Sequence, residues 1–287
     1  MRALNVKTGE VIIISDKITI EDPISSFLND SIVAKPASGC IKLYNLHTRK
    51  FEGTLLTFNK EFGFLQFSLS EDKSKAAVLL QGGKDPIYNP VEDKLKSRVE
   101  LKIVDLKNHK EYVVEHYDYI SGESVYAIGD ILWHGEDVIY SYQSNLYYYK
   151  LGQPKALLLT KYMETYALNK DELIFVSIEP KSEYYTFSKF NLANQAMASL
   201  GPQDESIRKL GMPTPIQLYT VPIHKTRYVT LRTNTNKYYT MDARSKFVPQ
   251  AKLLLYKDKG LSIHQSVTAI PEGSSTVDKY ELLITSS

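Results

Sequence analysis

One short pattern recurs six times along these 287 residues: an apolar or aromatic run, a polar corner, then a second apolar run. The copies join Ala3-Leu4-Asn5 to Val11-Ile12-Ile13, Lys42-Leu43-Tyr44-Asn45 to Phe51-Glu52-Gly53, and Leu101-Lys102-Ile103-Val104-Asp105 to Tyr112-Val113-Val114. Further on they join Tyr147-Tyr148-Tyr149-Lys150 to Ala156-Leu157-Leu158, Phe187-Ser188-Lys189-Phe190-Asn191 to Met197-Ala198-Ser199, and Tyr239-Thr240-Met241-Asp242 to Leu253-Leu254-Leu255. The residue that closes the first run is Asn5, Asn45, Asp105, Lys150, Asn191 or Asp242. The intervals are 40, 60, 45, 41 and 51 residues, with 50 on passing through the termini. A near-regular period that wraps through both ends fits radial repetition of one small sheet. The fold class it predicts is all-β, a six-bladed β-propeller spanning 1–287 as a single domain.

Two more strands precede each hairpin, as a four-stranded blade requires. They are expected at 24–28 and 31–35, 63–68 and 75–80, 128–133 and 138–142, 164–168 and 173–178, and 216–221 and 227–232. Short apolar runs bounded by turn residues at this spacing favour strands over helices. Residues 266–270 and 280–285 give a last pair with no hairpin after it. The hairpin at the N-terminus is expected to complete that blade, two strands from each end, which would hide its edges and tie down both termini. Residues 202–209 are expected to form one helical turn.

Charge is close to balanced, with 35 basic and 33 acidic side chains, so no global field draws the chain to nucleic acid or an anionic membrane. Cys40 is the only cysteine and cannot form an internal disulfide. Lys7-Thr8-Gly9-Glu10 interrupts the region where a secretory leader would be apolar. The expectation is a cytoplasmic monomer without nucleic-acid or membrane partners. Tyrosine is over-used, with 21 Tyr against 10 Phe and 1 Trp. Aromatic rings suit a half-buried pleated surface, so this excess supports strands first and binding second.

Phe67-Ser68-Leu69-Ser70-Glu71-Asp72-Lys73-Ser74-Lys75-Ala76-Ala77-Val78, followed by Leu101-Lys102-Ile103-Val104-Asp105-Leu106-Lys107, resembles the repeat of TolB-like six-bladed propellers. That repeat runs from an aromatic through Ser-Pro-Asp-Gly-Lys into an apolar strand; here Leu69 stands in place of the Pro and Ser74 near the Gly. The resemblance implies the architecture and carries over no functional residue. Likeness to WD-repeat propellers is of the same architectural kind, because their Gly-His and Trp-Asp pairs do not recur.

In a propeller the loops that lead into the innermost strands gather on one face, where ligands usually sit. These loops hold Asp16-Lys17, Asn59-Lys60-Glu61, Tyr117-Asp118-Tyr119, Tyr162-Met163-Glu164, Met212-Pro213-Thr214 and Lys257-Asp258-Lys259. The 60-residue interval reflects an insertion over 81–98, in which Ile87 and Tyr88 lie between Pro86 and Pro90, the composition of a stiffened contact loop. Trp133 is expected to pack between blades. His134, with Glu136 and Asp137, lacks a second histidine at ligand spacing and reads as turn polarity. No nucleophile elbow, His-Glu-x-x-His helix or phosphate loop occurs.

The expected function is therefore a non-enzymatic, cofactor-free and metal-free scaffold that binds a protein or peptide. Its expected contacts are Ile87, Tyr88, Asn89, Tyr117, Tyr119, Tyr162 and Met212. Two alternatives stay open. One is a channel-metal-dependent hydrolase of lactonase or esterase type, drawing on Glu164, Asp118, Asp258 and Asn59. The other is a carbohydrate- or small-ligand-binding propeller.

Overall fold

A computed structural model describes residues 2–4, 11–13, 26–29, 31–37, 39–58, 62–89, 94–120, 131–209, 215–223, 226–250, 253–258, 261–272 and 275–286. Most of them are in strands, nearly all paired antiparallel. Arg2–Leu4 (β1) and Val11–Ile13 (β2) pair as a hairpin, Ala3 opposite Ile12. Ser26–Phe27 (β3), Ile32–Ala37 (β4), Cys40–Asn45 (β5) and Lys50–Thr57 (β6) form the first four-stranded sheet. The second contains Phe62–Leu69 (β7), Lys75–Asn89 (β8), Lys94–Asp105 (β9) and Glu111–Ile120 (β10). Leu132–His134 (β11), Asp137–Tyr142 (β12), Asn145–Tyr149 (β13) and Leu157–Thr160 (β14) make the third, and Met163–Asn169 (β15), Glu172–Ser177 (β16), Thr186–Asn191 (β17) and Ala196–Ser199 (β18) the fourth. A single helical turn, Glu205–Arg208 (α1), follows where the sequence suggests it, with the Asp204 side chain accepting from the Ser206 N–H as its cap.

The remaining strands are Pro215–Ile223 (β19), Thr226–Thr233 (β20), Tyr238–Met241 (β21), Phe247–Gln250 (β22), Leu253–Asp258 (β23), Leu261–Glu272 (β24) and Ser275–Ser286 (β25). They form one sheet in the order β22-β21-β20-β19-β23-β24-β25. It is four antiparallel strands and three antiparallel strands joined at one parallel bridge, Ile223 opposite Lys257.

Packing divides the chain into two units, Met1–Gln143 with Tyr147–Leu158, and Ser144–Leu146 with Leu159–Ser287. In the first unit successive sheets stack face to face, and β8 shows why. Ala76, Val78 and Leu80 join Ala34, Ile41, Leu56 and Phe67 in one core cluster, while Ala77 and Leu79 join Trp133, Val138 and Tyr140 in the next. Alternate side chains of a strand leave opposite faces, so a sheet covered on both sides needs an unbroken apolar run such as 76–80. Trp133 is buried as expected, and its indole N–H donates to the Ser68 carbonyl at 3.2 Å. In the second unit Ile174, Val176 and Phe187 pack on Leu218, Val229, Leu231 and Tyr239.

The recurring corner residue has a physical role. Asn45, Asp105, Asn191 and Asp242 each turn a side-chain oxygen onto two backbone N–H groups just ahead, for example Asp105 Oδ1 to Lys107 at 2.9 Å and Asn108 at 3.1 Å. Such local bonds take the chain out of the ladder and reverse it. A second recurrence is a bulge near the start of β7, β15, β19 and β23, at Leu65, Glu164, Ile216 and Leu255, respectively. A bulge adds one unpaired residue and bends the strand.

Four expectations change. The insertion over 81–98 is not a loop, because β8 and β9 continue past a bulge and pair again, Ile87 with Lys96, Tyr88 with Leu95 and Asn89 with Lys94. The outer partner of β21 is β22, with Tyr239 opposite Pro249, and not 253–255. Residues 253–255 instead begin β23, so the last array has three C-terminal strands where two were expected, and β1 and β2 form a two-stranded sheet of their own. Pro249 has no N–H to give to a ladder, and an edge strand tolerates that missing donor. The Gly of the TolB-like pattern corresponds to Lys73, whose φ is 61°, and not to Ser74.

Candidate functional site

A groove of about 620 Å3 opens in the second unit. Its floor is the face of the fourth sheet opposite the Ile174 core: Phe175 and Ser177 from β16, Thr186 and Ser188 from β17, and Met197 from β18. Leu159, Thr160, Lys161 and Tyr162 form one wall, and Glu179 and Pro180 close the end. Hydroxyls, one cation, one anion and apolar surface share this space. Lys161 and Glu179 make no ion pair among the described residues.

Tyr162 is held out by its backbone. It adopts φ 53°, a left-handed conformation unusual for an aromatic residue, and its carbonyl accepts from the Ile178 N–H at 3.0 Å. The next N–H, of Met163, donates to the Ser144 carbonyl at 2.6 Å. With the backbone held on both sides, Tyr162 is 47% exposed, as is Met197 across the groove. Glu164 follows at the β15 bulge. It is exposed, yet the protein around its carboxyl raises its pKa, because burial disfavours the charged form. Desolvation first and the charge of Glu164 second raise the hydroxyl of buried Tyr185.

Of the residues expected to contact a partner, Tyr162 is the one the groove contains. Ile87, Tyr88 and Asn89 lie on β8 and Tyr117 and Tyr119 on β10, so their backbone is in strands and not in loops. Met212 lies outside the described residues, as do Asn59, Asp16 and Lys17. Asp118 pairs with Arg98 in the ladder and Asp258 ends β23. Among the described residues no three His, Cys, Asp or Glu side chains gather as metal ligands. Beside His134, Glu136 binds Lys75, and Asp137 accepts from the Tyr148 hydroxyl and the Leu151 N–H. Sequence reading missed the groove's hydroxyls because Ser177, Thr186 and Ser188 come from different strands and share no motif.

No family model and no curated relative matches the chain. Among solved structures it is similar to an oligogalacturonate lyase in complex with manganese, with 11% identity and a TM-score of 0.64 over 99% of this chain and 82% of that one. It is also similar to the β-propeller domain of the trilobed protease from Pyrococcus furiosus, with 13% identity and a TM-score of 0.50 over 99% and 86%. A third likeness is to dipeptidyl peptidase 4 of Porphyromonas gingivalis, with 12% identity and a TM-score of 0.56 over 85% and 43%. These are propeller proteins, and at such identities the likeness bears on fold alone. The chain has a β-propeller-like fold.

Proposed function

We propose that the chain is a single six-bladed propeller acting as a binding module, which docks a protein or peptide partner in the groove beside Tyr162. The observation that carries this reading is Tyr162 itself, an exposed aromatic whose backbone is held in a left-handed conformation beside a 620 Å3 groove. A pre-positioned Tyr offers large contact area at low entropy cost. Support for six blades comes from the recurring corner and from the bulge that β23 shares with β7, β15 and β19, which suits it to open a last sheet. That sheet has three C-terminal strands, so one strand of the β1–β2 hairpin would complete it. The ribbon at the end of β8 and β9, with Ile87, Tyr88 and Asn89, is a second contact.

The test is capture of partners on immobilised protein from the native host. It compares wild type, Tyr162→Ala, and a chain with 84–95 replaced by a short Gly-Ser linker. Loss of a bound protein with Tyr162→Ala, at unchanged circular dichroism, supports the groove. The same profile from all three would overturn the reading.

A further inference from the structure

We propose that the groove, read above as the docking site, receives an extended peptide segment that adds as a further strand to the free edge of β18. The argument begins with the outermost strands. An open sheet edge invites pairing, and proteins guard it with charge or proline. β6 carries Lys50 and Glu52, β10 carries Glu111 and Glu115, and β22 carries Pro249. β14 reads Leu157-Leu158-Leu159-Thr160 and β18 reads Ala196-Met197-Ala198-Ser199, with neither guard. These two unguarded edges both line the groove, through Leu159 and Thr160 and through Met197.

The ladder fixes which backbone groups are open. Leu200 N–H donates to Phe187 O at 2.9 Å, and Ser199 lies opposite Ser188. Hydrogen-bonded and non-bonded pairs alternate in an antiparallel ladder, so Ala198 and Ala196 face β17 while Met197 and Ser199 turn their N–H and C=O outward. All four residues of β18 are exposed. An added strand would bond there and send alternate side chains over the groove, the usual division between backbone affinity and side-chain specificity. Lys161 and Glu179, which make no ion pair among the described residues, select a segment with an acidic and a basic side chain. A second copy's β18 offers only Ala, Ser and one Met to the groove and leaves most of 620 Å3 unfilled.

The probe is a random-sequence peptide display library selected on the intact protein, with the recovered sequence made as a labelled synthetic peptide. Met197→Pro removes one outward donor without touching the β17 ladder, since an edge strand tolerates proline there. It is expected to weaken peptide binding about tenfold, the scale of one or two hydrogen bonds, with the melting temperature kept. Met197→Ala keeps the donor and is expected to weaken binding less. N-methylation along the peptide is expected to abolish binding at alternate positions only, a readout that does not depend on any protein variant.

If Tyr162→Ala and Lys161→Ala abolish binding while Met197→Pro and N-methylation do not, the groove reading stands and strand addition is overturned. If no peptide is recovered, or every groove variant binds as wild type does, both fall. A dimer in the free protein that Met197→Pro dissolves would assign the edge to a second copy and overturn the proposal.

Discussion

Lys73 occupies a backbone position that suits glycine. At φ 61° in the turn between β7 and β8, a left-handed conformation costs an L residue roughly 1–2 kcal/mol, and glycine loses about 0.5–1 kcal/mol more chain entropy on folding. Lys73→Gly is therefore expected to stabilise the protein by about 0.5–1 kcal/mol, read from the urea midpoint. An unchanged or lower midpoint would show that the lysine side chain contributes more than the strain. Asp72, one residue earlier, is pulled down to about 2 from its ordinary 3.8, first by the Ser74 N–H and then by the Ser70 and Ser74 hydroxyls. A carboxylate with a depressed folded pKa stabilises above its unfolded pKa and loses that contribution as pH falls. The loss here spans about pH 4 to pH 2. Between these limits the urea midpoint of wild type is expected to fall further than that of Asp72→Asn. Parallel pH profiles would remove Asp72 from the acid response.

At the scale of elements, the packing between sheets makes a sharper forecast. Trp133 fills the core shared by the second and third sheets and donates to Ser68 O. Trp133→Phe keeps an aromatic ring but leaves that carbonyl without its partner and opens space, a cost of about 1–3 kcal/mol in urea unfolding. A loss below the error of the measurement would mean that the indole bond is replaced by water. Strand positions of this kind were legible because an apolar run between turn residues is a local signal: 75–80, 173–178 and 187–191 read correctly. The β8–β9 ribbon was not, because Gly82, Gly83 and Pro86 look like loop chemistry, and only the pairing that resumes at Ile87–Asn89 across from Lys94–Lys96 carries the strand past them. For β22, the sequence at 253–255 is the more apolar candidate and drew the assignment away from Phe247-Val248-Pro249-Gln250, an edge strand with little to bury. Among site residues, Tyr162 was legible as an aromatic before a first strand. The hydroxyl floor depends on register between β16 and β17, which no single stretch of sequence contains.

For the whole molecule, the proposed closure sets the terms. If a strand of the β1–β2 hairpin completes the array of β23, β24 and β25, deleting residues 1–15 exposes the long β25 edge with its Leu282-Leu283-Ile284 run. The truncated protein is expected to be insoluble or oligomeric by light scattering, since a folded domain holds only about 5–15 kcal/mol in reserve. A chain joined from Ser287 to Met1 and opened between Asp72 and Lys73 is expected to fold. A soluble monomeric truncation that melts like wild type would end the proposal of closure.

The bulges at Leu65, Glu164, Ile216 and Leu255 have a consequence beyond local bending. Upstream of each, the ladder runs one residue out of step with the part that follows, so a change of length there need not shift the register beyond it. Each bulge thus works as a phase joint: the segments that lead into the first strands can gain, lose or reorient residues while the interior pattern below stays in step.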